Sequence, residues 1–144
     1  MFRKILYPTD FSDVSYKALD YVKQLRDAGT EEVVVLHVIE TRDFSLPEMF
    51  PTKELSGWEE KVESWATEEA NKVAKTLSDI GLRASVRIEK GIPFTEILRI
   101  ENEEDISLIV IGSHGKSNVE EMLLGSVSEK VVRKAESPVF VVKR

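Results

Sequence analysis

Two periods run along the chain, a short one of apolar runs and a longer one of three and four. Ile5-Leu6-Tyr7 is a short apolar strand core, broken by Pro8-Thr9-Asp10-Phe11-Ser12. Val14, Ala18, Val22 and Leu25 then fall on one helical face. Ser12 or Asp10 would cap that helix, and Gly29 would stop it. Val33 to Ile39 is almost wholly apolar, as a strand covered on both faces must be. The stretch 41–57, with Pro47 and Pro51, reads as a long loop. A long helix is predicted from about Trp58 to Ile80, burying Trp58, Val62, Trp65, Val73 and Leu77 and ending at Gly81. Leu82 to Glu89 alternates apolar with charged, which suits a strand near a sheet edge with one wetter face. Gly91-Ile92-Pro93 opens a helix with proline in its first turn, and Ile97, Leu98 and Ile100 are its apolar contribution. Ile106 to Ile111 is a buried strand that stops at Gly112. A last helix runs from about Ser126 to Ala135, Ser137-Pro138 ends it, and Val139 to Val142 is the final strand.

Strict alternation of strands and helices predicts an α/β fold, a doubly wound five-stranded parallel sheet with helices on both faces. Right-handed crossovers leave two strand orders, 3-2-1-4-5 and 2-1-3-4-5. Ligands in such sheets bind beyond the carboxyl ends of the strands, where the winding reverses. In the first order the reversal lies between strands one and four, which would bring Asp10 beside Gly112. In the second they would be a strand further apart.

Composition narrows the chemistry. The 144 residues suit one domain spanning 1–144, long enough to bury roughly 68–70% of the unfolded surface without staples. Without cysteine there is no disulfide or thiolate chemistry, and two histidines make a histidine-rich metal centre implausible. A net charge of −6 with no basic block argues against nucleic acid. Met1-Phe2-Arg3-Lys4 leads straight into a strand-like run, and no apolar run approaches the ~20 residues of a membrane span. The expectation is a soluble, cytoplasmic protein with no membrane partner.

The most informative stretch follows the fourth strand. Gly112, Gly115 and Gly125-Ser126 form a G-x2-G-x9-G-S frame that ends at a helix start. Glycine admits a ligand close to the backbone, and a helix start offers N–H groups to an anion. A phosphate cradle built from loop N–H groups and the hydroxyls of Ser126 and Ser128 is the functional reading. A glycine turn followed by a glycine cap is the plain one. Neither the Walker spacing nor the dinucleotide fingerprint is present. Lys116 sits within the frame, where it either counters phosphate charge or faces solvent. Asp10 either meets a ribose or a cation, or caps the first helix; a bare carboxylate against phosphate would be repelled. His37, inside the apolar second strand, reads as a packed core histidine.

With these residues in place the chain resembles the universal stress proteins, in their nucleotide-binding branch. The resemblance rests on Gly112, Gly115, Gly125 and Ser126, on Pro8-Thr9-Asp10-Phe11-Ser12, and on GSVSEKVV followed by Ser137-Pro138-Val139. It spans the whole chain. It implies the order 3-2-1-4-5, a homodimer, and bound ATP or AMP, with Mg or Mn accompanying the triphosphate. Carried over by position, Pro8, Thr9 and Asp10 would approach the nucleoside and Val38 would meet the adenine edge through its backbone. Ile111, Gly112, His114, Gly115, Gly125, Ser126, Val127 and Ser128 would surround ribose and phosphates. Glu120 and Glu121 depart from the family, whose members often carry a basic residue there. Their charge either weakens triphosphate binding relative to monophosphate or faces solvent.

Three roles are open on this reading. A nucleotide-binding sensor or signalling module is favoured. A slow ATPase or phosphotransferase would need a positioned nucleophile and charge clamps that the motif does not display. A nucleotide-free interaction protein would rely on its dimer surface. That surface would be Val139 to Val142, an apolar edge strand that self-pairing would cover. Phe44, Leu46, Met49 and Phe50 in the 41–57 stretch would form a lid, a partner contact or an unstructured crossover.

Overall fold

The opening apolar run becomes β1, Lys4–Pro8, and Ser12 starts α1, Asp13–Leu25, by accepting from the Ser15 backbone N–H at 3.3 Å. Asp10 turns back instead, its Oδ1 accepting from the Ser12 N–H at 3.0 Å. After a short turn of 3-10 helix, Gly29 closes the segment with φ 99°, a left-handed conformation suited to glycine. There follow β2 Glu32–Glu40, α2 Thr52–Asp79, β3 Arg83–Gly91, α3 Pro93–Glu103, β4 Leu108–Gly112, α4 Ser126–Lys134 and β5 Val139–Val142. The structure, a computed structural model, describes residues 1–40, 52–114 and 124–144, without the side chains of 52–56.

All four strand pairings are parallel, and the order is β3-β2-β1-β4-β5. Of the two windings the sequence left open, this is the one that the family resemblance implied. Alternation along the central strands sends successive side chains to opposite faces. Ile5, Tyr7, Val33, Val35, Leu108 and Val110 pack with α1 and α2. Leu6, Val34, Leu36, Ile109 and Ile111 pack with Ile97 and Ile100 of α3 and Val131 of α4. The alternating β3 lies at an edge, as its pattern required. Its apolar residues Ala84, Val86 and Ile88 meet the α1/α2 core, while Arg87 pairs with Glu89, Glu103 and Glu104.

The long helix corrects two expectations. It begins at Thr52, well before Trp58, so the last part of the stretch read as loop is helical. Its buried seam is Ala66, Ala70, Val73 and Leu77, whereas Trp58 and Trp65 are 54% and 43% exposed. The alanines let the helix axis come close to the sheet, and an indole has no room in that seam. Trp65 lies at its rim, edge-on to Phe11 with ring centroids 5.3 Å apart.

Tyr7 lies at the centre of the α1/α2 core and donates its hydroxyl proton to the Ser15 carbonyl. Burial, the largest influence, pushes its pKa from 10.0 up to about 12. A raised folded pKa gives stability that is complete below the ordinary value and lost as pH rises through the folded one. Urea titrations from pH 9 to 12 should therefore show a fall of about 1–3 kcal/mol, concentrated above pH 10. Tyr7→Phe should flatten that fall, at the cost of about 1 kcal/mol at neutral pH.

Candidate site at the switch between β1 and β4

The winding reverses between β1 and β4, which is where a fold of this kind places its ligand crevice. The β1–β4 register pairs Ile5 with Leu108 and Leu6 with Ile109. The pairing stops there, and the two strands run on without pairing to each other, to their ends at Pro8 and Gly112. Asp10 and Gly112 thus leave neighbouring strand ends.

On the other side, Pro8 is the last residue of β1 to pair with β2, opposite Leu36, and the Thr9 N–H donates to the Leu36 carbonyl at 2.8 Å. β2 continues as His37 to Glu40 with β3 as its partner. A strand residue sends its N–H and its carbonyl to the same side, alternating residue by residue. Since Leu36 faces β1, Val38 faces the same way, over Thr9 and into the crevice. Its donor and acceptor stand where β1 would have continued.

The β1–α1 turn is tightly braced. Thr9 is buried, and its Oγ1 lies 2.8 Å from Ser15 Oγ and accepts from the Phe11 N–H at 3.0 Å. His37 Nδ1 lies 2.8 Å from the Thr9 carbonyl. The histidine expected as core packing is half-buried and ties β2 to the turn that carries Asp10. Asp10 is itself half-buried.

Across the crevice, Gly112 meets α1 rather than open space. A Cβ on it would lie 2.9 Å from Val14 Cγ1 and 3.3 Å from the Ser15 backbone nitrogen. Ser128 Oγ, buried, donates to the Gly112 carbonyl at 2.7 Å, and the Gly125 N–H donates to the Ser113 carbonyl at 2.6 Å. These bonds hold the start of α4 against the end of β4. A hydroxyl has a single proton, so that of Ser128 is committed to this bond. Ser113 Oγ lies 2.8 Å from His114 Nδ1, beside the crevice. Gly125 is the N-cap of α4, with no side-chain cap bond, and Ser126 is exposed at the first helical position. The first-turn N–H groups therefore lack the side-chain acceptor that a serine or aspartate cap would supply. Gly115, Lys116, Glu120, Glu121 and the 41–51 part of the proposed lid lie outside the described residues.

Next to the crevice, on the α3/α4 face, is a pocket of about 200 Å³ lined by Glu40, the turn from Gly91 to Phe94, and Ser126, Val127 and Lys130. Lys130 Nζ stands 4.7 Å from the Phe94 ring centroid. The volume is below the ~300–1,000 Å³ that encloses a drug-sized ligand, so it suits one portion of a larger molecule. Sequence reasoning found Ser126 and Val127 but not Glu40, Phe94 or Lys130. The signals were faint: Phe94 opens the helix after β3, and Lys130 is one turn beyond Ser126.

Comparison with known proteins agrees with this architecture. The model of the universal stress protein family matches residues 1–143. The chain is 42% identical over 156 residues to universal stress protein MJ0577 of Methanocaldococcus jannaschii, covering 100% of this chain and 96% of that protein. The solved structure of MJ0577 superposes with a TM-score of 0.91 at 41% identity, over 100% of this chain and 97% of that one. Universal stress protein YxiE of Bacillus subtilis is 34% identical over 154 residues, covering 99% of this chain and 100% of its own. A universal stress protein family protein from Arabidopsis thaliana, solved with AMP bound, shares the fold at a TM-score of 0.65 and 16% identity, over 99% and 92% of the two chains.

Proposed function

The chain belongs to the universal stress protein family, and on that premise we propose that its crevice binds an adenine nucleotide, ATP or AMP, as part of a cytoplasmic stress-sensing or signalling module. The observation that carries this reading is the convergence of main-chain groups. Val38 presents a donor and an acceptor over Thr9, and α4 begins beyond Gly125 without a side-chain cap. The first suits the hydrogen-bonding edge of a base, the second a phosphate. The AMP in the Arabidopsis relative supports the same ligand class.

In this reading Pro8, Thr9 and Asp10 flank the nucleoside and Ile111 and Gly112 form the floor. His114, Gly115, Lys116, Gly125, Ser126 and Val127 face ribose and phosphates, with Ser128 bracing them through Gly112. Asp10 is placed on the sugar side, because a carboxylate near phosphate would oppose it. Among the described residues no cluster of three His, Asp or Glu could hold a metal. Mg or Mn would accompany the phosphates of ATP, as Mg²⁺ does where one or two carboxylates complete its shell.

Heating the purified protein and running the extract on an anion-exchange column should release an adenine nucleotide. Added ATP or AMP should raise stability by about 2.7 kcal/mol at a hundredfold excess over Kd. An empty extract together with no such shift contradicts the proposal. Phosphate release above that of a Gly125→Val control would point instead to hydrolysis on the same site.

The second part of the proposal is a homodimer through β5. Val139–Val142 is a sheet edge, and Phe140 on it is 38% exposed beside Tyr21. Pairing with a second copy would cover that edge. Light scattering at micromolar concentration should give twice the chain mass, and a monomer mass refutes the pairing.

A further inference from the structure

The turn that carries Asp10 is held in a conformation its own sequence disfavours. Phe11 has φ 63°, where a bulky side chain is an outlier and a surrounding constraint must hold it. The constraint comes from β2 and α2. The Phe11 ring stacks on His37 with centroids 4.7 Å apart and planes 28° apart, and Trp65 abuts it edge-on. His37 Nδ1 meets the Thr9 carbonyl at 2.8 Å. A carbonyl only accepts, so Nδ1 carries the proton in this contact. His37 also immediately precedes Val38, whose main chain faces the crevice. One side chain therefore links the strand that would read the base to the turn that would read the sugar.

We propose that His37 is a positioning residue, which clamps Thr9 and Phe11 so that Asp10 is held at a fixed place relative to Val38. It sets nucleotide affinity through Asp10 and does not touch the ligand. This rests on the nucleotide-binding reading above. Two contacts do the clamping, the Nδ1 bond to Thr9 and the ring face against Phe11, and substitution separates them. His37→Asn keeps an N–H donor near the position of Nδ1 and loses the ring. His37→Phe keeps the ring and loses the donor.

The test is AMP titration of the full chain as wild type, His37→Phe, His37→Asn, Asp10→Asn and the His37→Phe/Asp10→Asn double variant. His37→Phe, which loses the hydrogen bond, should weaken AMP binding about tenfold, the worth of one such bond, and His37→Asn, which loses the ring contact, should recover only part of that loss. In the Asp10→Asn background His37→Phe should have little further effect, because a residue acting through another is non-additive with it. Equal losses in both backgrounds, or unchanged affinity, overturn the proposal. A second readout needs no ligand. Hydrogen exchange at the Phe11 and Ser12 amides, which bond to Thr9 Oγ1 and Asp10 Oδ1, should accelerate in His37→Phe while Val34 and Ile109 in the core strands stay protected. Unchanged exchange at those two amides overturns the clamp whether or not AMP binds. A wild-type chain that binds no AMP overturns the affinity half along with the function it rests on, and exchange still decides the clamp.

Discussion

Gly125→Val should lower adenine nucleotide affinity at least about a hundredfold, near 2.7 kcal/mol of binding free energy, while leaving the chain folded. Gly125 has φ −72° and ψ 166°, an extended conformation open to any residue. Backbone geometry therefore does not demand glycine here. Losing a glycine N-cap in favour of valine costs α4 about 1 kcal/mol, a small fraction of a domain's stability. What the substitution takes away is the space over the first N–H groups of α4, which the proposal assigns to phosphate. Titration calorimetry and thermal melting of the same samples read the two effects apart. Unaltered affinity would mean that no phosphate sits over α4.

Gly112→Val should do the reverse, destabilising the chain by about 1–3 kcal/mol or more with or without nucleotide. The new Cβ would stand 2.9 Å from Val14 Cγ1 and 3.3 Å from both the Ser15 nitrogen and the Val14 carbonyl carbon. The valine side chain could shift, but the backbone atoms belong to the first turn of α1. β4 and α1 would have to separate, disturbing the Tyr7 and Thr9 contacts with Ser15 in that same turn. Urea denaturation should show a lowered midpoint with an unchanged slope. An unchanged midpoint would show that the strand–helix contact yields freely. On this proposal two glycines of one motif serve different ends, Gly112 making room for α1 and Gly125 for the ligand.

That division was not legible in the sequence. Spacing marked Gly112 and Gly125 alike, because the neighbour that explains Gly112 is Val14, almost a hundred residues earlier in the chain. The strands were legible, since Val33 to Ile39 and Ile106 to Ile111 are apolar enough to need cover on both faces. The winding was legible only through the family resemblance, as periodicity left two orders open. Trp58 and Trp65 misled because hydrophobicity ranks an indole above an alanine, whereas the α2 seam selects for closeness and takes Ala66 and Ala70. His37 misled for a related reason. An apolar strand suggests a core ring, but β2 outruns β1, so His37 lies past the end of β1, half-buried and stacked on Phe11. The pocket wall of Glu40, Phe94 and Lys130 is drawn from three elements, and no local pattern joins them.

The account stands on main-chain groups of β2 and α4 gripping one adenine nucleotide between them. Calorimetric titration of AMP and of ATP into the full chain, stripped of any carried-over ligand, tests this most directly. Saturable binding of one nucleotide per chain, lost in Gly125→Val, is the expected result. Absence of heat and of any rise in melting temperature up to millimolar nucleotide would contradict it.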